Sequence, residues 1–314
     1  MTERVIDLSE SPASLRIRDE NLCVRTGEDT ETAVPVRDIA AVVVSQRAVT
    51  FTQPVLASLA EAGAVFVVCD NRHLPVGMLM PLQGHYAQAQ RFAAQSAATR
   101  PMCKRAWQEI IRAKIRAQAQ TLHRIHGNEA GLTELAKSVR SGDPTNVEAQ
   151  AARRYWKNLF GSAFRRDFDS PDQNRFLNYG YAVLRGVVAR AICGAGLHPS
   201  VGIHHKHRNN AFCLADDLAE PYRPLVDERV WRLCDRRGAD APFDSQARAE
   251  LVKIACARYN TDNERRGLFD IVSRLAASLA GVFEGRRRKL EVPPATPAAE
   301  LPADGAEHDA SRGF

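Results

Sequence analysis

The stretch LHPSVGIHHKHRNNAFCLADDLAEPYRPLVD, residues 197–227, decides how the chain is interpreted. It places four histidines ahead of an acidic cluster, and no cysteine pair accompanies them. Imidazole nitrogen with carboxylate oxygen suits a hard or borderline divalent cation such as Mg²⁺ or Mn²⁺, whereas a thiolate-rich set indicates zinc. The stretch therefore indicates a catalytic metal. Its histidines are His198, His204, His205 and His207, and the cluster comprises Asp216, Asp217 and Glu220.

The spacing within this stretch predicts a short helix. Asp217 and Glu220 are three residues apart and would share one helical face, with Asn209 or Asn210 as the cap. His205 lies 12 residues before Asp217, so the chain must fold back for them to meet. A solvated acidic helix beside a polar loop is the alternative, because charges at helical spacing usually lie on a surface.

Length and charge set the broad class. A chain of 314 residues is long enough for about two domains of roughly 150 residues each. The net charge of +6 is modest, but lysines and arginines cluster in residues 104–116 and 153–166. Such basic stripes can contact phosphates, which favours a polyanionic partner, although ordinary solvated helix faces would also show them.

Cysteine usage and the N-terminus predict the compartment. Seven cysteines are scattered without a C-x-x-C pair, which is typical of buried thiols in a reducing cytoplasm. The start MTERVIDLSE lacks the apolar segment of a signal peptide, and no run approaches the roughly 20 apolar residues of a membrane span. We therefore expect a soluble, cytoplasmic protein.

The chain divides by composition into an α+β arrangement. Short segments rich in β-branched residues, such as AAVVVS and AVFVVCD, predict a small β-rich N-terminal domain over residues 1–85. Long segments with apolar residues at helical spacing predict a larger, all-α C-terminal domain over residues 86–285. Proline, alanine and mixed charge predict a disordered tail over residues 286–314.

Two predicted helices supply further site candidates. Glu148 lies in the first turn of NVEAQAARRYWKNLF and is a possible third metal ligand, because the 197–227 stretch alone leaves the site short of a donor. Asn178 lies on the apolar helix that runs from about residue 174 to 193. It is either a satisfied core amide or a partner that hydrogen-bonds the metal site, and we favour the second role.

Three separated segments agree with a known family in their order and in their residues. They are NVEAQAARRYW, FLNYGYAVLRG and the 197–227 stretch. With the β-rich start, they closely resemble CRISPR-associated protein one, the endonuclease and integrase of spacer acquisition, in its type II branch. The resemblance covers about residues 1–285. It implies a β-rich N-terminal domain used for dimerisation and a helical domain that carries the metal site.

The resemblance also implies roles for individual residues. The family's metal ligands fall on Glu148, His205 and Glu220, and Asp217 matches a supporting aspartate that would orient His205 or a metal-bound water. Many relatives have aspartate at the position of Glu220. The neighbouring His204, His207 and Asp216 carry no role under this mapping, although the HH and DD pairs leave a shift of one residue open.

The implied reaction is phosphoryl transfer on DNA with Mg²⁺ or Mn²⁺. The 3′-hydroxyl of incoming DNA attacks during integration into the CRISPR array, and water attacks during hydrolysis, in the adaptation step of antiviral defence. Implied partners are prespacer and leader-repeat DNA, a second copy in a homodimer, and CRISPR-associated protein two in a heterohexamer. Basic residues near the site would hold phosphates, namely Arg153, Arg154, Lys206 and Arg208.

Two other functions fit parts of the sequence. A non-catalytic helical DNA-binding scaffold would use the basic stripes alone and would be indifferent to a chelator. A metallohydrolase of a small phosphoester would use the same donors but needs a deep, closed pocket, whereas a DNA enzyme needs an open basic groove.

Overall fold

Two four-stranded sheets and one helix make up the N-terminal part of the computed structural model, which describes residues 4–27, 30–70, 75–79, 81 and 84–298. The β-rich start predicted from the sequence is confirmed. Its elements are β1 (Arg4–Leu8), β2 (Ala13–Arg18), β3 (Asn21–Thr26), β4 (Thr30–Pro35), β5 (Ile39–Val44), β6 (Val49–Phe51), α1 (Gln53–Glu61), β7 (Val65–Cys69) and β8 (Pro75–Leu79).

The two sheets differ in strand direction. In the order β4-β3-β2-β6, strands β2, β3 and β4 are antiparallel and β6 runs parallel to β2. In the order β1-β5-β7-β8, the first three strands are parallel and β8 is antiparallel. The parallel strands are covered on both faces, which explains the nearly continuous apolar run of β5. Val42 and Val44 belong to the core of the β-rich region, whereas Val43 faces the helical region.

The rest of the chain is mostly helical, as expected. Helix α6 is its buried centre and contacts α7, α8, α9, α10 and strand β7. The helices are α2 (Gln88–Ser96), α3 (Arg100–His126), α4 (Leu132–Ser138), α5 (Val147–Phe160), α6 (Asn174–Gly194), α7 (Cys213–Ala219), α8 (Arg223–Arg237), α9 (Ser245–Cys256) and α10 (Leu268–Phe283).

This region is not all-α, because it also contains a small sheet. Strands β9 (Arg258–Thr261) and β10 (Glu264–Gly267) form a hairpin, and β11 (Thr296–Pro297) pairs with β9. Asp262 adopts a left-handed φ of 48° in the hairpin turn, a conformation that Asp tolerates better than most residues. The flanking helical patterns hide these short strands in the sequence.

Part of the segment predicted to be a disordered tail is ordered. Residues 286–298 lie against α10, where the backbone N–H of Glu291 donates to Ser278 Oγ at 2.9 Å and Leu290 is buried. The Tyr222 hydroxyl donates to the carbonyl of Pro293 at 3.1 Å. A single buried leucine anchors this segment, and a compositional average cannot reveal it. The predicted tail beyond residue 298 lies outside the described residues.

Helices α6 and α8 approach each other closely at Gly180. A Cβ on Gly180 would lie 2.4 Å from Cγ1 of the buried Val226. The contact needs glycine because Val226 is β-branched and cannot swing away. It sets the position of α8, which begins at Arg223, three residues after Glu220.

Substitution of Gly180 by alanine should lower the free energy of unfolding by about 1–3 kcal/mol through overpacking against Val226. Gly186 on the same helix is the matched control. Its Cβ would meet only Met78 at 3.6 Å and Val67 at 4.0 Å. Gly186→Ala should be neutral or stabilising by up to about 1 kcal/mol, because alanine favours helix. Urea unfolding followed by circular dichroism measures both, and equal stabilities would contradict the close approach.

Candidate metal centre

Three separate segments bring the predicted ligands together. Glu148 lies in the first turn of α5, His205 in the loop before α7, and Glu220 at the start of a 3-10 turn, Glu220–Tyr222, after α7. The middle of α3 forms the floor between them, since α3 contacts α5, α7 and the 3-10 turn. The site is therefore assembled entirely by tertiary packing.

The turn before α5 fixes Glu148. Asn146 adopts a left-handed φ of 50° and its side chain accepts a hydrogen bond from the N–H of Ala149 at 3.3 Å. The Asp143 carboxylate accepts from the N–H groups of Val147 and Glu148, both at 2.9 Å. These bonds satisfy the free N–H groups of the first turn, so the backbone at Glu148 is held rigidly.

Lys114 of α3 joins the two glutamates. Its Nζ lies 2.6 Å from Glu148 Oε1 and 2.6 Å from Glu220 Oε2. Burial alone would lower the pKa of Lys114, but the carboxylates of Glu220 and Glu148 outweigh burial and raise it. The lysine is therefore a charged ammonium shared by two acids from distant parts of the chain.

Glu220 is buried but remains ionised. Burial tends to raise the pKa of this carboxyl, yet the nearby Arg223 and Lys114 lower it overall. Arg223 Nη2 lies 3.1 Å from Glu220 Oε1. Among the described residues, Oε2 receives no hydrogen bond of good geometry and is held only by its ion pair with Lys114. This buried oxygen keeps an unused lone pair.

Asp217 positions His205. The fully buried carboxylate accepts from the backbone N–H groups of Ile203 at 2.7 Å, His204 at 3.0 Å and His205 at 3.1 Å. It also contacts Nδ1 of the His205 ring at 2.7 Å. With Nδ1 engaged, Nε2 is the ring nitrogen left to bind a cation. A Cβ on Gly202 would lie 2.3 Å from the His205 carbonyl oxygen, so this loop requires glycine.

The neighbouring histidine and aspartate are engaged elsewhere. The His204 ring stacks on Trp107, with centroids 4.0 Å apart and an interplanar angle of 2°. The Asp216 carboxylate accepts from Arg185 Nε at 2.8 Å and Asn210 Nδ2 at 2.7 Å. These contacts favour the register in which His205 and Asp217, rather than His204 and Asp216, belong to the site.

The donor set fits a divalent cation. Two carboxylates and one imidazole are the ligands that Mn²⁺ accepts, and a carboxylate-rich set also suits Mg²⁺. No three histidine, cysteine, aspartate or glutamate side chains within the described ranges already form a metal cage. The Lys114 ammonium lies between two of the donors instead. The unused lone pair of Glu220 Oε2 supports the fit.

The basic residues expected to hold phosphates are all exposed. Arg153 and Arg154 lie on α5, five and six residues after Glu148, and Lys206 and Arg208 follow His205 in its loop. None of the four forms an ion pair with an acidic residue in the described part of the chain. Their guanidinium and ammonium groups are therefore available to an anionic ligand.

Asn178 is engaged away from the metal centre. Its Oδ1 accepts from Arg166 Nη2 at 2.6 Å, and its Nδ2 donates to the Phe168 carbonyl at 2.8 Å. Both bonds hold the segment before α6. Among the described residues Asn178 forms no hydrogen bond with Glu148, His205 or Glu220, so the contact predicted for it is absent.

Sequence reasoning missed Lys114, which it treated as one member of a basic stripe. The sequence signal for its role was the position of Lys114 on α3. Lys114 lies between Ile111 and Ile115 on the apolar face of this helix, seven residues after Trp107. A lysine on a buried helical face requires an anionic partner.

The family comparisons agree with this architecture. The profile of the family described as CRISPR associated protein Cas1 matches residues 7–255. A CRISPR-associated endonuclease Cas1 from Neisseria meningitidis is 33% identical over 296 residues, which cover 93% of this chain and 97% of the relative. A second such endonuclease, from Pyrobaculum aerophilum, is 27% identical and covers 84% of this chain and 95% of the relative.

Solved structures share the fold. A Cas1 protein from Thermotoga maritima superposes with a TM-score of 0.71 at 17% identity, covering 92% of this chain and 99% of that chain. A casposase bound to integration product also gives 0.71, at 18% identity, covering 92% of this chain and 93% of that chain. At such identities the likeness concerns the fold alone.

The family model and the Neisseria relative define the class as a metal-dependent nuclease and integrase of nucleic acids. The chain belongs to the Cas1 family of CRISPR-associated endonucleases, the spacer-acquisition integrases of antiviral defence. The resemblance seen in the three sequence segments is thereby confirmed. No helix in the described ranges combines the length and apolar character needed to cross a bilayer.

The His205–Asp217 contact should be visible as a shifted titration. The hydrogen bond to Asp217 raises the pKa of His205 above 6.5, against the opposing effect of burial. Asp217→Asn keeps an oxygen acceptor but removes the charge, so the pKa of His205 should fall. Histidine ring resonances followed by NMR against pH, in chelator, measure it.

Asp216→Asn is the matched control, since Asp216 makes a smaller contribution to the pKa of His205. The expected stability effect has a definite sign, because the pKa of the folded state is raised. Stabilisation by this contact is fully present below the unfolded-state pKa near 6.5 and is lost as pH rises through the folded-state pKa. Equal pKa shifts in both variants would contradict the assigned contact.

Proposed function

We propose that Glu148, His205 and Glu220 hold Mg²⁺ or Mn²⁺ and that this centre integrates spacer DNA into a CRISPR array. The convergence of Glu148 and Glu220 on one ammonium carries the proposal, because it puts two acids 72 positions apart within reach of one cation. His205 lies close enough to Glu220 for the charge of Glu220 to contribute to the raised pKa of His205.

The bound cation would supply Lewis-acid polarisation of a non-bridging phosphate oxygen. The chain's own residues do the rest. Asp217 holds the His205 ring with Nε2 turned away from it. Arg153, on the helix that carries Glu148, and Lys206, next to His205 in the chain, are both exposed and would bind flanking phosphates. The 3′-hydroxyl oxygen forms the new bond to phosphorus while the bond to the leaving 3′-oxygen breaks; water replaces the hydroxyl in hydrolysis.

An open site supports a polymeric substrate. The His205 side chain is 42% exposed and that of Glu148 is 27% exposed, whereas the Glu220 side chain is only 4% exposed. A hydrolase of small phosphoesters would enclose its substrate in a deep pocket. An open site beside unpaired basic residues suits DNA better.

Solved relatives support the proposed partners. The Cas1 fold within a Cas6-RT-Cas1–Cas2 complex superposes with a TM-score of 0.69 at 18% identity, covering 93% of this chain and 36% of that chain. The casposase structure contains an integration product. By analogy we propose that this chain binds prespacer and leader-repeat DNA and assembles with CRISPR-associated protein two as a heterohexamer. Homodimerisation through residues 1–85, the domain boundary near residue 85 and a cytoplasmic location stay predictions.

Integration of a prespacer into a branched or leader-repeat duplex tests the proposal. We expect strand transfer with Mn²⁺ or Mg²⁺ and none with Ca²⁺ or chelator. Glu148→Gln, His205→Ala and Glu220→Gln should each reduce the rate by about 100-fold or more, because each removes either a negative charge or the imidazole donor from the cation.

Glu134→Gln is the matched control, since Glu134 is 74% exposed on α4 and pairs only with Lys137 among the described residues. It should integrate at the rate of the unsubstituted protein. Normal integration by Glu148→Gln or His205→Ala in Mn²⁺ would contradict the assignment of these residues as metal ligands. Activity that persists in chelator would favour a mechanism without the cation.

We infer that Lys114 keeps the two acids together until the cation binds. Lys114→Met should lower the free energy of unfolding in chelator by about 1–3 kcal/mol, because it leaves the buried Glu220 carboxylate with Arg223 as its one counter-charge among the described residues. Mn²⁺ should restore more stability to the variant than it adds to the unsubstituted protein. Thermal unfolding with and without Mn²⁺ measures both effects.

Lys137→Met is the control, because Lys137 is 65% exposed in its pair with Glu134. Its stability should change by less than about 0.5 kcal/mol and its response to Mn²⁺ should be unchanged. The inference fails if Lys114→Met is as stable as the control in chelator.

A further inference from the structure

A second concentration of positive charge lies away from the metal centre. A cleft of about 470 Å³ opens between the end of α3, the middle of α8 and the β9–β10 hairpin. We call it the arginine cleft. Its lining contains five arginines and one acidic residue, Glu228, and the arginines are Arg124, Arg229, Arg232, Arg258 and Arg265.

Glu228 fixes two of these guanidinium groups. Its Oε2 accepts from Arg124 Nη2 at 2.6 Å, and its Oε1 accepts from Arg232 Nη2 at 3.0 Å. The carboxylate is 3% exposed, so it lies beneath the arginines and does not face the opening. The two guanidinium groups are therefore preorganised, which reduces the entropy lost on binding an anion.

The hairpin supplies the uncompensated charge. Arg258 and Arg265 are both exposed, and neither forms an ion pair with an acidic residue in the described part of the chain. Arg258 Nη2 donates to the backbone carbonyl of Arg265 at 3.0 Å, which aligns the two residues across the hairpin. Glu228 compensates one of the five arginines, and Glu250 compensates Arg229, whose Nη1 it contacts at 2.9 Å. The arginine cleft therefore carries a net charge of about +3, and a phosphate-bearing ligand would neutralise it.

The arginine cleft and the metal centre share helix α3, and Arg223 at the start of α8 pairs with Glu220. Lys114 contacts Glu220 near the middle of α3, and Arg124 contacts Glu228 near its end. The two contacts are ten residues apart on α3, or about 15 Å at 1.5 Å per residue. One DNA strand places a phosphate every 3.4 Å or so along a duplex, so this distance spans about four nucleotides.

We propose that the arginine cleft binds the phosphodiester backbone of DNA about four nucleotides from the phosphate that reacts at the metal centre. The proposal rests on the proposed function for the identity of the ligand. Continuity along α3, which carries both Lys114 and Arg124, favours a strand that runs through both sites over a separate small anion. The cleft would hold the strand in register and take no part in the chemistry.

The salt dependence of DNA binding tests this. Arg258→Ala/Arg265→Ala removes the two unpaired guanidinium groups and leaves the pair that covers Glu228. Binding of a labelled branched duplex, measured by fluorescence anisotropy in Ca²⁺ across a salt series, should weaken. The slope of log affinity against log salt should become shallower by about 1.5, as expected for two lost contacts.

Arg37→Ala/Arg47→Ala is the charge-matched control, since both arginines are exposed in the β-rich region. It should leave the slope unchanged. An unchanged slope in the cleft variant, or an equal loss in the control, would overturn the proposal.

A scan of the DNA backbone locates the contact. Methylphosphonates, which lack the phosphate charge, replace single linkages one to eight nucleotides from the branch. Substitution around the fourth linkage should weaken binding to the unsubstituted protein but not to the cleft variant, since the contact is already lost there. A response at all positions alike, or at none, would overturn the proposal.

Failure of the proposed function can be told apart from failure of this inference. Binding in Ca²⁺ needs no chemistry, so the slopes remain informative even if no strand transfer occurs. Conversely, the cleft variant should transfer strands more slowly at limiting DNA in Mn²⁺, and saturating DNA should restore most of the single-turnover rate. A variant that binds normally but has lost strand transfer would show that these arginines act in the chemistry, contrary to the proposal.

Discussion

The Lys114 ammonium, shared by Glu148 and Glu220, is the interaction on which the functional part of this protein depends. Two carboxylates placed this close would repel each other, and Glu220 is almost fully buried. A single cation between them removes the repulsion and joins α3, α5 and the turn after α7. Under the proposed function, a divalent cation would take the place of this ammonium between the same two acids.

The surrounding scaffold exists to hold these segments in place. Helix α6 lies at the centre, with the parallel sheet against one side and α8 pressed against Gly180 on another. Asp217 plays the corresponding role within the loop, because one buried carboxylate accepts three backbone N–H groups and orients His205. Rigid packing and buried polar bonds thus convert a polar loop into a defined site.

The positive charges of the metal centre and of the arginine cleft are arranged along helix α3 and the elements that pack against it. Lys114 faces inward and balances acids, whereas Arg258 and Arg265 at the hairpin have no acidic partner among the described residues. The same helix α3 therefore connects a compensated site to an uncompensated one. Under the two proposals this arrangement would separate two tasks, since the metal centre would hold the reacting groups and the arginine cleft would bind the DNA backbone.

The sequence by itself determined the order of β-rich and helical regions, because strand and helix periods are local properties of the chain. It also determined the ligand candidates Glu148, His205 and Glu220, through residue types and a family resemblance that spans separated segments. It did not reveal Lys114 or the arginine cleft, and it gave Asn178 a contact that the fold directs elsewhere. Those features join residues distant in the chain, so they depend on which helical faces meet. Tertiary packing alone decides which helical faces meet, because Lys114 on an outward face of α3 would be an ordinary solvated charge.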